Sequence, residues 1–371
     1  MCGRRFWVCG LACAFAGAIC CFGQTAPART QTLPSTSLAD ASREDHAREE
    51  LRTGTQLTRS GALRDAIPHL LAAQSAGLEP YATGVNLAIC YVGTGAIAKA
   101  IPLLESLRAS GYRSTVTATL LVQAYIAGGR TSEAYAQLTA AAEAAPNNET
   151  IFAYAADACT DHRQYALGLR MMNLGLVTMP VSPRLHYERA LFLAEQGSLE
   201  DARPEFDRAA QLDPGGYIGY LAHVQKDLYD GELKPASQLL EEAIHSGHRD
   251  YRMLSLLGSV LLQEGVAPGD PRLPEAQSAL EESAKERPDF SGTQIALGRL
   301  YLMLGRNSDA AEHLEIARAL EPENPAVYTS LAAAYRGLGE REKAAQMTAV
   351  LGRLLARQSA KPAAVKTATP H

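Results

Sequence analysis

The sequence predicts an all-α fold, a solenoid of antiparallel helix pairs. Three recurrences predict it: a glycine at 34-residue steps, an alanine at a fixed distance behind it, and a proline that closes each unit. Fixed-period self-similarity of this length marks repeat architectures, in which each unit buries its apolar face only against its neighbours. The glycines are Gly61, Gly95, Gly129, Gly197, Gly231, Gly265, Gly305 and Gly339. One interval is doubled, with Arg163 standing in the empty slot. One is lengthened by an insertion around Val266-Ala267-Pro268-Gly269-Asp270-Pro271. Five residues after the glycine comes Ala66, Ala100, Ala134, Ala202, Ala236, Ala310 or Ala344. Pro146, Pro180, Pro214, Pro288 and Pro322 close units, with His248 at the step that lacks one.

Counting back from the glycines gives nine units starting near residues 47, 81, 115, 149, 183, 217, 251, 291 and 325. In each, a first helix carries a small residue at its eighth position, such as Gly54, Ala88, Gly258 or Gly298. A larger one follows three residues on, often tyrosine, as at Tyr91, Tyr125, Tyr301 and Tyr335. Glycine then ends that helix, because it enters the left-handed backbone region at no steric cost. A second helix places a small residue at position 20 and a large apolar one at 24, among them Leu70, Leu104, Leu138, Phe206, Leu240, Leu280 and Leu314. Spacings of three and four make one apolar stripe per helix. Small residues opposite large ones allow close approach, and proline stops the second helix.

Small, tyrosine, glycine, alanine and proline in this order resemble the tetratricopeptide-repeat family, over residues 47–358. The match is plainest in Ala296-Leu297-Gly298-Arg299-Leu300-Tyr301, followed by Gly305, Ala310, Leu314, Ala317 and Pro322. Departures are Asp227 at a tyrosine position, Arg189 and His223 at leucine positions, and a fourth unit that is weak throughout. The resemblance implies a right-handed superhelical solenoid with a binding groove lined by first-helix positions 2, 5, 6, 9, 12 and 13. Carried onto this chain, its polar and aromatic occupants include Asn86, Gln123, Tyr154, Asp157, Tyr187, Glu188, Gln225, Tyr229 and Arg299. No unit pairs lysine at position 5 with asparagine at position 9, so the family's clamp for a C-terminal carboxylate is not expected. Such a groove suits an extended segment or a helix laid along it.

No catalytic residue is assigned: Gly-x-Ser-x-Gly, His-Glu-x-x-His and phosphate-loop motifs are all missing. His245-x-x-His248 with Asp250 lies at a turn where polar residues are expected anyway, so no metal and no cofactor are expected. Cys90 and Cys159 stand two units apart, about 20 Å at the ~10 Å spacing of packed helices, too far to bridge. They read as buried thiols. The last helix carries Met347, Val350, Leu351, Leu354 and Leu355, more apolar positions than one stripe needs. A weak homodimer through Met347, Val350, Leu354 and Leu355 is therefore expected.

The formal net charge of −5 without a basic stripe argues against nucleic acid. At the N-terminus, Arg4 and Arg5 precede the uncharged run from Phe6 to Phe22. With Cys21-Phe22-Gly23, or Ala26-Pro27-Ala28, as a cleavage site, residues 1–23 read as a signal peptide and the protein as periplasmic or secreted. An uncleaved membrane anchor is the rival reading. Residues 24–46 and 359–371, rich in Thr, Ala, Pro and Ser, read as a linker and a disordered tail. The function expected is a non-enzymatic envelope scaffold that binds other proteins or peptides. Its rivals are an assembly factor for a secretion, pilus or outer-membrane complex, and a glycan- or peptidoglycan-binding accessory subunit. The low aromatic content, 6%, disfavours the glycan reading.

Overall fold

The structure, a computed structural model, describes residues 38–360. The expected signal peptide, residues 24–37 and the tail from 361 lie outside the described residues. Within them are eighteen α-helices and no strand, a helical solenoid of stacked hairpins. They fall into two compact units, residues 38–198 and 199–360.

The first unit holds α1 (Leu38–Arg59), α2 (Leu63–Ser75), α3 (Pro80–Gly93), α4 (Ile97–Ala109), α5 (Thr115–Ala127), α6 (Thr131–Ala144), α7 (Glu149–Asp161), α8 (Tyr165–Thr178) and α9 (Pro183–Glu195). The second holds α10 (Leu199–Leu212), α11 (Tyr217–Asp230), α12 (Leu233–His245), α13 (Tyr251–Gln263), α14 (Leu273–Glu286), α15 (Ser291–Met303), α16 (Asn307–Leu320), α17 (Pro325–Gly337) and α18 (Arg341–Ala360). The odd-numbered first helices pack on one another from α1 to α9 in the first unit, and α13, α15 and α17 do so in the second. One apolar core runs through the first unit, from Leu51 to Phe192. The second has two, from Tyr220 to Ala279 and from Leu280 to Ala344.

Repeat residues do the work their spacing suggests. All eight slot glycines adopt positive φ. Arg163, in the fourth slot, does so as well, at φ 54°, with its guanidinium over the Tyr165 ring. The slot therefore demands the left-handed turn whichever residue fills it. The fourth unit, weakest in sequence, still folds as the regular hairpin α7–α8. Close approach at position 8 is equally direct. A Cβ on Gly258 would stand 2.4 Å from Leu280, one on Gly298 2.4 Å from Leu314, and one on Gly54 2.7 Å from Leu70. Those are the position-24 leucines, each fully buried, and burying such a side chain contributes about 1.5–3 kcal/mol.

Three junctions share a polar clamp. The hydroxyls of Tyr125, Tyr301 and Tyr335 donate to Glu105, Glu281 and Glu315 at 2.7, 2.9 and 2.8 Å, each twenty residues earlier on the preceding second helix. Arg130, Arg306 and Lys343 lie over the three rings, 4.6, 4.3 and 5.1 Å from their centroids. A ring that is apolar on its body and polar at its tip thus joins consecutive hairpins.

One boundary differs from expectation. α1 begins at Leu38, well before residue 47. Arg48 pairs with Glu44 and, at 3.3 Å, with Asp45, and Arg52 pairs with Glu49 at 2.6 Å. Pairs three and four residues apart support a helix where composition alone suggested a linker. At the other end α18 runs to Ala360.

Candidate binding groove

The first helices α3 and α5 are buried almost all round. α3 buries every residue from Thr83 to Tyr91, and α5 buries Thr117 and every residue from Thr119 to Ile126. Between α3, α5 and α7 these helices leave an open cavity of about 230 Å³. Ile89, Val92, Ile97, Leu120, Ala127 and Ala158 wall it, together with Gln123, and Asp161 and the exposed His162 stand at its α7 side. Ile89, Val92, Leu120, Gln123, Ala127 and Asp161 occupy positions 6, 9, 12 or 13 of their helices, where the groove was expected.

Gln123 is the polar feature of the walls. It is 7% exposed, and its carboxamide oxygen is buried without a hydrogen-bond partner. One turn earlier on α5, the hydroxyl of Thr119, 2% exposed, is also without one. A buried polar group left unsatisfied costs about 1–3 kcal/mol, and nearly all such groups in proteins are paired.

The other eight expected groove residues are not brought together at this cavity. Asn86 is buried and donates to the Ala82 carbonyl at 2.8 Å. Tyr154 and Tyr187 are buried. Desolvation, helped by the charge of Asp157, pushes the Tyr154 hydroxyl above its ordinary value. Glu188 is buried with Arg184 3.9 Å away, and Asp157 is half-buried. In the second unit, Gln225 and Tyr229 are half-buried, and Tyr229 stacks on Phe206 at 6.0 Å. Arg299 is exposed. Tyr154, Tyr187 and Glu188 are thus buried within the first unit, whose first helices pack on one another.

The apolar stripe on α18 is also divided. Leu355 is 49% exposed, but Leu354 is 8% exposed, Val350 is half-buried and Met347 packs against the core of its own unit. Leu354 therefore cannot belong to an open face as expected, since the helix turns it inward.

Near α12 and α13, His245 contacts the Glu241 carbonyl at 2.7 Å and His248 that of Gly215 at 3.0 Å. Asp250 caps α13 by accepting from the backbone N–H groups of Arg252 and Met253. Each of the three is engaged locally, and no cluster of three metal-binding side chains occurs among the described residues. Cys90 and Cys159 are free and buried; Cys90 lies 3.3 Å from the Thr58 hydroxyl and Cys159 3.9 Å from the Met171 sulfur. Burial pushes both thiols above their ordinary range, which makes them packing groups rather than nucleophiles.

The apolar walls carried no polar signal in the sequence. Their only sign was position: hydrophobic residues at groove positions of two successive units, with nothing in the local pattern to say that they leave space.

Comparison with known proteins follows the same lines. The profile of the family described as tetratricopeptide repeat matches residues 164–217, 272–325 and 295–347. No curated protein matches the sequence. Among solved structures, a tetratricopeptide repeat protein from Parabacteroides merdae is 17% identical, covering 69% of this chain and 99% of its own, with a TM-score of 0.48. YrrB, described as a TPR protein with an unusual peptide-binding site, is 16% identical over 51% of this chain and 94% of its own, with a TM-score of 0.37. MamA is 18% identical over 45% of this chain and 94% of its own, also with a TM-score of 0.37.

Proposed function

Since the chain is a tetratricopeptide-repeat protein, we propose that it is a non-enzymatic scaffold of the cell envelope that holds a segment of another protein against its first helices. Proteins of this family bind other proteins or peptides, and the finer reading rests on one observation. The cavity between α3, α5 and α7 has apolar walls and an unsatisfied carboxamide, and it opens at the groove positions of three consecutive units. Concave, mostly apolar sites with a few placed polar groups are the usual form of a recognition site. The envelope location rests on Arg4, Arg5 and the run from Phe6 to Phe22.

The test is a quantitative pull-down from an envelope extract with residues 24–371 as bait, beside two variants. Ala127→Arg places a charge in the cavity wall; Val177→Asp alters an exposed site on the second helix α8. The reading expects a partner retained by Val177→Asp and lost from Ala127→Arg. A partner set indifferent to both variants would overturn the groove assignment, and finding the full-length protein only in the cytosolic fraction would overturn the envelope role.

A further inference from the structure

We infer that the cavity between α3, α5 and α7 is an anchor site for one uncharged aliphatic side chain of a partner segment, whose neighbouring backbone N–H donates to the carboxamide of Gln123. The inference rests on the scaffold reading and adds the chemistry of the occupant. Three observations carry it.

The first is size. At about 230 Å³ the cavity falls below the roughly 300–1,000 Å³ that receives a drug-sized molecule, and it suits a single anchoring side chain. Binding energy at protein interfaces concentrates on such anchors in desolvated pockets. The second is the composition of the walls. Ile89, Val92, Ile97, Leu120, Ala127 and Ala158 make up most of the lining, and Asp161 and His162 stand at its α7 side, so a charged head seated among the apolar walls would lose its hydration without compensation.

The third is Gln123. Its oxygen is a buried acceptor without a donor, on a residue that is nine-tenths buried and lines the cavity. A backbone N–H reaching it, after a turn of the amide, would satisfy both groups at once. A peptide supplies that donor beside an aliphatic side chain, whereas a hydrocarbon or lipid tail supplies only the apolar part. Thr119, one turn earlier on the same helix, carries a second buried oxygen without a partner.

The test uses the full-length protein with selectively labelled glutamine side-chain amides, titrated with N-acetyl-leucine N-methylamide as the probe. N-acetyl-lysine N-methylamide and methyl 4-methylpentanoate, an aliphatic ester without a hydrogen-bond donor, are the comparison probes. The expected result is saturable millimolar binding of the leucine probe that shifts the Gln123 amide resonance. Lysine and ester probes should bind at least about tenfold more weakly, a ratio equivalent to about 1.4 kcal/mol. Gln123→Leu should weaken the leucine probe toward the ester level, and Ala127→Met, which fills the cavity, should abolish binding. Thermal melts confirm that each variant folds.

Equal binding of leucine and lysine probes would overturn the uncharged anchor, and equal binding of leucine and ester probes would overturn the N–H contact. No shift at the highest soluble concentration would overturn the site. These results are separable from the pull-down: a leucine probe that binds while no partner is captured would sink the scaffold reading and leave the cavity chemistry intact.

Discussion

α5 and α11 fill the same slot in two repeats, yet α5 buries nine of its residues and α11 only four. The residues that define the hairpin are the same around both: Gly129 and Gly231 at the turn, Ala134 and Ala236 after it, and Leu138 and Leu240 in the second helix. The remaining positions differ. α5 presents Leu120, Leu121 and Val122 where α11 presents Ala222, His223 and Val224, and α11 continues into Lys226, Asp227 and Asp230. A few slot residues therefore set the backbone, while the other positions decide what kind of face it displays. In the first unit that face is apolar and leaves a cavity; around α11 it is charged.

The largest expected effect sharpens this contrast at matched positions. Leu121, 1% exposed on α5, and His223, exposed on α11, both stand at position 7 of their helices. Leu121→Ala removes fully buried methyl groups and should cost about 2–5 kcal/mol. His223→Ala changes a surface residue and should stay within about 0.5 kcal/mol. Urea-unfolding midpoints of the two variants check this. Equal losses would break the comparison, since they would place the two faces in the same environment.

Next in size is the junction between hairpins. Tyr301 in α15 donates to Glu281, whereas in α11 the tyrosine position holds Asp227, and Asp207, the carboxylate twenty residues earlier, pairs instead with Lys226 at 2.5 Å. Tyr301→Phe keeps the ring and loses the bond, at a cost of about 1 kcal/mol. It should also change the alkaline limb of stability. Desolvation, then the bond to Glu281 and its charge, push the Tyr301 hydroxyl up to about 12, and the same causes at Glu315 push Tyr335 up to about 12. A folded-state value raised above the ordinary value near 10 contributes stability that is complete below pH ~10 and is lost as pH rises toward 12. The double variant with Tyr335→Phe should flatten that loss in a pH series of thermal melts.

How much of this was legible follows from the same division. Slot residues make local, repeated demands, so the helix pairs, the left-handed turn at Arg163 and the meeting of position 8 with position 24 could be read from spacing. The Tyr–Glu pair of the clamp was equally present at a fixed offset of twenty residues, with its cation five or eight residues after the tyrosine, but as polar residues on separate helices it gave no signature of one contact. The cavity shares positions with the expected groove and, Gln123 apart, none of its expected residues. Asn86, Tyr154, Tyr187 and Glu188 stand at groove positions yet are buried, because whether a side chain reaches the open face depends on how tightly the two neighbouring helices close over it. The cavity depends on what three helices fail to fill, and a single helix's sequence does not contain that. The early start of α1 was hidden for a different reason: ion pairs can sustain a helix without an apolar stripe.

The smallest effect is the most specific to the charged face. Asp227 sits, partly buried, at a position suited to a tyrosine ring, and desolvation raises its carboxyl above the ordinary value, with His223 and Lys226 only partly offsetting it. A raised folded-state value means that the native state holds the proton more tightly than the unfolded chain. The favourable contribution is then complete below the ordinary value near 3.9 and disappears as pH rises through the folded-state value, so ionised Asp227 works against folding at neutral pH. Asp227→Asn, which resembles the protonated acid, should raise the melting temperature slightly at pH 7 and give no gain at pH 3. A gain that persists at pH 3 would point to packing rather than charge. A loss at pH 7 would mean that the carboxylate is held by Lys226 and His223 more strongly than burial opposes it, and α11 would then be stabilised by its charged face rather than merely tolerating it.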